Sequence, residues 1–264
     1  MPLSELESRT KNNKRKRKMQ RRKFLSAAGV AIGATASSQV LGAFGGLDKV
    51  GGALGGVGAG VGGALGMGGA GAGGASWKDV AKQFGEAKAL FATTAQQQAM
   101  ISADIAEALD LKSAADVLRG EANNLAEKGD SMGSGDLNAV AENSASTQAL
   151  IEAKLQESES LSDEQKAALA RSASEYLPTL ITGFAVAKSV KDAVQLASGL
   201  GVPGFRDGRA AISAAKDIPV LGPKMIKFFV DSGKTGKSLM GLMQTKGVAT
   251  PDESEMDSQL AGFA

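Results

Sequence analysis

Two short stretches of this 264-residue chain carry residue types that could do chemistry. The first is a cluster of four carboxylates: Glu157, Glu159, Asp163 and Glu164. Hydrolysis of a sugar polymer needs two carboxylates held at a fixed separation, usually beside aromatic rings that stack the sugar. The chain has one Trp, one Tyr and nine Phe, which leaves few rings for that purpose. Acids are also common near helix N-termini, so a cell-wall-acting carboxylate hydrolase is the least favoured function.

The second stretch, "DSGKTGKS" at residues 231–238, resembles part of a phosphate-binding loop. That loop needs Gly-x4-Gly-Lys-Ser/Thr, so that its backbone amides can surround the phosphates. Asp231 stands five residues before Gly236, and Phe228 stands five before Gly233, so neither register fits. We therefore predict a solvated Gly-Lys turn without a nucleotide.

The absence of two residue types excludes several classes of enzyme. The chain contains no Cys and no His, which rules out Ser-His-Asp and Cys-His catalysis and disulfide bonds. Zinc, copper, haem and iron–sulfur sites draw mainly on these residues. We therefore predict a protein that is not an enzyme and that binds no metal and no cofactor.

The N-terminal region has the order of a secretory signal. Ten basic residues and no acid lie between Arg9 and Lys23, and a mildly apolar run follows from Phe24 to Ala36. The run ends in Ala34-Thr35-Ala36, and small residues at these positions are what a signal peptidase recognises. The run is also too short to span a bilayer.

In detail this region resembles a twin-arginine (Tat) signal, whose pattern is S/T-R-R-x-F-L-K. Residues 20–26, "QRRKFLS", keep Arg21, Arg22, Phe24 and Leu25 and depart at the first and last positions. The resemblance covers residues 1–36. It implies recognition by the Tat translocase, cleavage by signal peptidase after Ala36, and a periplasmic or otherwise exported protein. The alternative is a basic arm for nuclear import or nucleic acid. Because residues 37–264 carry 20 basic and 26 acidic side chains, we predict no nucleic-acid partner.

A glycine-rich segment occupies residues 51–75, with 14 Gly, 6 Ala and no charge. Interior glycines disfavour a helix in water, so residues 37–75 are interpreted as a flexible linker. A second interpretation rests on glycines spaced four apart (52, 56, 60 and 58, 62, 66), which let helices approach closely inside a bilayer. A β-like assembly of this segment is the third interpretation, and all three remain open.

The rest of the chain is patterned as helix, and we predict an all-α antiparallel bundle over residues 76–246. Ser76 with Asp79 begins a first helix, and further helices are expected over about 113–128 and 137–158. Ser162-Asp163-Glu164-Gln165 is a capping box that begins a fourth helix, which Pro178 should kink or split before Gly199. Two more are expected, over about 207–217 and 223–243. Trp77 and Tyr176 are predicted core anchors, and residues 247–264 an acidic disordered tail.

Charge is segregated along the predicted bundle. Residues 77–175 carry 9 basic and 17 acidic side chains, residues 176–246 carry 10 and 4, and the tail carries four acids alone. One interpretation is that oppositely charged helices face each other, or that the tail covers the basic part. The other is a cationic helix over 223–243 that lies on anionic lipid, with the lipid-facing residues Lys224, Lys227, Phe228, Phe229, Lys234 and Lys237.

The function predicted from these observations is an exported, non-enzymatic helical protein of the cell envelope that binds a partner or acts as a scaffold. The runner-up is a membrane-active protein that uses the glycine-rich segment or the 223–243 helix. The partner is an envelope protein or an anionic lipid surface, and the oligomeric state is left open.

Overall fold

The computed structural model describes residues 76–263, so the twin-arginine motif, the cleavage site and the glycine-rich segment lie outside the described residues. Within them the chain is helical and contains no strand, which confirms the all-α prediction. The six helices are α1 (Trp77–Ala108), α2 (Lys112–Lys128), α3 (Ser134–Glu157), α4 (Asp163–Ser198), α5 (Gly208–Thr245) and α6 (Ser254–Ala261). Short 3-10 turns, Gly129–Ser131 and Phe205–Asp207, precede α3 and α5.

Two helices begin at the capping boxes that the sequence contains. The Ser76 hydroxyl accepts from the amide of Asp79 and the Asp79 carboxylate accepts from the amide of Ser76 at 3.3 Å. Ser162 and Gln165 form the same reciprocal pair at the start of α4. Each pair satisfies amides that have no partner inside the helix. Both predicted helix starts are confirmed.

The core has two apolar clusters, one toward each end of the bundle. We call the first the Trp77 end (residues 77–92 and 185–220), where Val80, Phe84 and Phe91 of α1 pack with the last turns of α4 and the first half of α5. We call the second the tail end (residues 101–118, 151–177 and 239–263), which holds the last turns of α1 and the first turns of α4. The helices α1 and α4 are therefore antiparallel.

A polar layer lies between the two clusters. Six polar side chains are buried in this layer: Thr94, Gln98, Ser102, Thr147, Gln148 and Thr179. Tyr176 crosses the layer at 1% exposure and accepts a hydrogen bond from Gln98 Nε2 at 3.4 Å. The predicted role of Tyr176 as a core anchor is confirmed.

The prolines do not divide the helices, so the predicted split at Pro178 and the predicted helix end before Pro219 are wrong; a kink at Pro178 stays a prediction. Pro178 lies inside α4, while Pro219 and Pro223 lie inside one continuous α5. Pro219 and Pro223 are both exposed, so they interrupt the helical hydrogen bonds on the solvent side of α5. The buried face of α5 meanwhile continues through Ile218, Leu221 and Met225, and this packing offsets the roughly 3 kcal/mol that an interior proline costs.

The predicted Gly-Lys turn is instead part of α5, and its glycines form a close contact with α4. A Cβ built on Gly233 would lie 2.2 Å from the Phe184 ring, and one on Gly236 would lie 2.5 Å from Leu180. A Cβ on Gly222 would lie 2.7 Å from Val194, and one on Gly183 would lie 2.4 Å from the Phe229 ring. Only hydrogen fits at these positions, so the glycines set the α4–α5 spacing.

The tail also differs from the predicted disorder, because it folds as α6 over the tail end. Met256 is fully buried and Val248 is 4% exposed, while Lys237 Nζ donates to the Asp257 carboxylate at 2.6 Å. Three of the four tail acids, Asp252, Glu255 and Asp257, are exposed, and the apolar residues of the tail complete the tail-end cluster. This agrees with the interpretation that the acidic tail covers part of the basic region.

Candidate binding groove at the Trp77 end

The connection between α4 and α5 is a fixed turn. The Gly204 amide donates to the Asp207 carboxylate at 2.7 Å, and the Asp207 amide donates back to the Gly204 carbonyl at 3.1 Å. Gly208 follows at φ 84°, in the region that favours glycine. Within the turn Val202, Gly204, Phe205 and Arg206 are exposed and Pro203 is half-buried.

Below this turn lies an open apolar groove with a cavity volume of about 560 Å³, in the size range of small-molecule sites. Three stretches line it: Trp77 from α1, Val194 to Pro203 at the end of α4 and in the turn, and Ile212 to Pro219 of α5. Lys216 is the only ionisable side chain among these described lining residues.

Trp77 positions the groove. Its indole Nε1 donates to the carbonyl of Gly201, which ties the first residue of α1 to the turn that follows α4. Trp77 is half-buried and packs against the apolar cluster of this end, so its predicted role as a core anchor holds in part. It is also the single tryptophan of the chain, and its emission therefore reports on this groove alone.

The tip beside the groove exposes large apolar side chains. We call residues 202–206 the tip, and within it Phe205 is 99% exposed and Val202 is 95% exposed. Arg206 and Arg209 are exposed next to them. Val202 and Phe205 lie three residues apart in the turn that borders the groove, and exposed apolar side chains at such a place indicate a candidate interaction site.

A second, much smaller concavity opens between α3 and α5 at the polar layer. Its volume is about 80 Å³, and Gln98, Gln148, Tyr176 and Ser232 line it. Gln98 Oε1 and Gln148 Nε2 are buried there without a protein partner, and burial raises the pKa of the Tyr176 phenol. A space of this size and polarity suits a few ordered waters.

Glu121 of α2 is a buried carboxylate that the sequence interpretation missed. It is 5% exposed, accepts from Ser144 Oγ at 3.5 Å, and has a second oxygen without a partner. Burial raises the pKa of Glu121 from 4.5 to about 7. The signal was present, because Glu121 follows Leu118 by three residues and therefore lies on the apolar stripe of its helix.

The residues predicted to face lipid fall into two groups, buried phenylalanines and lysines nearer the surface. Phe228 and Phe229 are buried, at 6% and 1% exposure, with ring centroids 5.3 and 5.1 Å from Phe91. These two are core residues of the fold and do not face outward. The mistake arises because an amphipathic helix looks the same in sequence whether its apolar face meets a core or a bilayer.

The four lysines of that set have different surroundings. Lys224 donates to Asn138 at 2.9 Å, Lys227 pairs with Asp231, Lys237 pairs with Asp257, and Lys234 is exposed. Three of the four are thus engaged within the protein, and the six residues do not form one outward surface.

The carboxylate cluster lies at the junction of α3 and α4 with all four side chains exposed. Hydrogen bonds from its own backbone amide and from Ser162 lower the pKa of Glu164, whereas a catalytic acid needs a raised pKa. Over residues 76–263 no group of His, Cys, Asp or Glu side chains is arranged to hold a metal ion.

None of the helices within residues 76–263 combines the length and the apolarity needed to cross a bilayer. Comparison with protein families, with characterised proteins and with solved structures gives no match to this chain.

Proposed function

We propose that this protein is an exported cell-envelope protein that acts by binding a partner at the Trp77 end and performs no catalysis. The observation that carries the proposal is the groove itself: an open apolar concavity with a single ionisable side chain, Lys216. Such a lining offers area for an apolar ligand or surface, but it lacks the paired acid and base or the activated nucleophile that catalysis requires.

Export by the Tat route is supported by Arg21, Arg22, Phe24 and Leu25 before a weakly apolar run. Arg21→Lys with Arg22→Lys keeps the charge, and it should retain a fused reporter in the cytoplasm. Replacing Ala36 with Tyr should leave the reporter exported but uncleaved. Unchanged export of the double Lys variant, or export in cells without the Tat translocase, contradicts this part of the proposal.

Binding at the groove is tested by photo-crosslinking in the cells that make the protein. A photoreactive residue replaces Ala215, which lines the groove, or Ser238, which is exposed on the same helix outside it. We expect a discrete adduct from position 215 and none from position 238. Absence of an adduct at 215, or equal adducts at both positions, contradicts a role for the groove.

A further inference from the structure

The tip of the Trp77 end combines two kinds of side chain that a membrane surface attracts. Phe205 and Val202 are almost fully exposed, and Arg206 and Arg209 follow Phe205 in sequence. Neither arginine belongs to any ion pair of the described chain. Apolar groups that enter the acyl boundary and cations that meet anionic headgroups add their free energies.

The turn holds the tip in place before any partner arrives. The reciprocal hydrogen bonds between Gly204 and Asp207 fix the backbone on both sides of Phe205. Pro203 restricts the backbone of Val202, the residue before it. Because the apolar side chains are already projected, docking does not require the segment to be ordered first.

Charge along the bundle points the same way. The Trp77 end carries eight basic and five acidic side chains, whereas the remainder of residues 76–263 carries eleven basic and twenty acidic ones. The ends thus differ in sign, at +3 against −9. An anionic surface attracts the Trp77 end and repels the rest, which orients the bundle end-on.

The uncharged segment 51–75 joins the bundle at this same end. Its last residue is two positions before Trp77, whose indole is bonded to the turn that carries the tip.

The size of the exposed surface distinguishes lipid from protein as the occupant. A stable protein–protein contact buries about 800 Å² on each partner and uses about 20–30 residues a side, and two exposed apolar side chains do not make up such a surface. Insertion of a few apolar groups with basic neighbours is sufficient at a lipid interface. Resting on the proposed function, we infer that its partner is an anionic phospholipid surface and that Val202 and Phe205 insert into it.

The test moves the single tryptophan. In the full chain, Trp77→Phe is combined with Phe205→Trp at the tip, or with Leu150→Trp as a matched control. Leu150 is a 55% exposed apolar residue on α3, outside the Trp77 end. Vesicles contain phosphatidylglycerol with brominated acyl chains, which quench only a tryptophan that enters the bilayer. Lipid binding by the basic residues 9–23 is common to all of these variants, so the result that matters is the difference in quenching between position 205 and position 150.

We expect quenching at position 205 and none at position 150. Adding Arg206→Gln with Arg209→Gln should raise the vesicle concentration for half-maximal quenching about tenfold, and Val202→Glu should raise it by at least as much. Vesicles of phosphatidylcholine alone should quench far less at the same lipid concentration.

Three results overturn the inference: no quenching at 205, equal quenching at both positions, or an emission shift at 205 that depends on protein concentration without vesicles. The last identifies a second copy of the chain as the occupant. A groove adduct at position 215 together with no quenching at 205 leaves the proposed function standing and removes lipid as its partner.

Discussion

The two ends of this bundle have similar apolar clusters, but the chain covers only one of them. Each has an apolar cluster formed by α1, α4 and α5. At the tail end the C-terminal segment covers the cluster, with Met256 fully buried. At the Trp77 end the groove remains open beside Phe205, which is 99% exposed. The tail end is thus covered by the chain itself, whereas the Trp77 end leaves apolar surface that a partner can bury on binding.

The largest expected difference is between two phenylalanines near the same end. Phe229→Ala removes a ring buried against Phe91 and Phe228, and it should lower the free energy of unfolding by about 3–5 kcal/mol. Phe205→Ala removes an exposed ring and should change it by less than about 0.5 kcal/mol. Chemical denaturation of both variants gives the comparison. Similar losses would show that the tip is packed in solution.

Met256→Ala tests whether the tail end is sealed by apolar packing. The cavity left beside α4 should cost about 2–4 kcal/mol and should make residues 247–264 more susceptible to limited proteolysis. Lys237→Gln breaks the exposed pair with Asp257, and such pairs contribute little. We expect its proteolysis pattern to match that of the unaltered chain. Release of the tail by Lys237→Gln alone would attribute closure to charge.

Glu121→Gln tests the buried carboxylate between α2 and α3. Because burial raises the pKa of Glu121 to about 7, the folded state binds this proton more tightly than the unfolded state does. The protonated Glu121 carboxyl therefore contributes its full share to the stability of the fold below pH 4.5, and this contribution is lost as the pH rises through 7. The variant should match the parent at pH 4.5 and exceed it by about 2–3 kcal/mol at pH 8.5.

Glu127→Gln is the matched control for that measurement, since Glu127 is exposed on the same helix. Its stability should follow the parent over the whole pH range. If Glu121→Gln shows no pH-dependent difference, Glu121 is already hydrated in the folded state.

Gly236→Ala tests the spacing of α4 and α5, which both ends share. The added Cβ would lie 2.5 Å from Leu180 and 3.0 Å from Tyr176, so we expect a loss of about 1–3 kcal/mol. Gly241→Ala, on the same helix with no atom within 4 Å, should instead stabilise by up to about 1 kcal/mol. Thermal unfolding of the two variants should show a lower melting temperature for Gly236→Ala and a higher one for Gly241→Ala. Equal effects would mean that the helices are not in close contact.

Local signals in the sequence were sufficient for the helix starts, because a capping box satisfies its hydrogen bonds within four residues. Ser76 and Ser162 show this. The continuity of α5 was not predictable in the same way, since tolerance of Pro219 and Pro223 depends on which face they occupy.

The groove could not be predicted for a similar reason. It joins Trp77 to residues more than a hundred positions later, and no local pattern contains that information. The exposure of Phe205 and the burial of Phe229 likewise depend on tertiary packing, because the two residues are of one type and both have basic residues nearby in sequence.

Energy transfer from Trp77 to an apolar naphthalene dye tests the difference between the ends most directly. The helix α1 is about 48 Å long, so a dye at the tail end receives little transfer from Trp77. We predict saturable, transfer-excited dye emission in the full chain. It should be lost in Ile212→Glu, which places a charge in the groove, and kept in Ala210→Glu, which places the same charge outside it. Dye binding without transfer, or transfer that survives Ile212→Glu, would contradict an open binding surface at the Trp77 end.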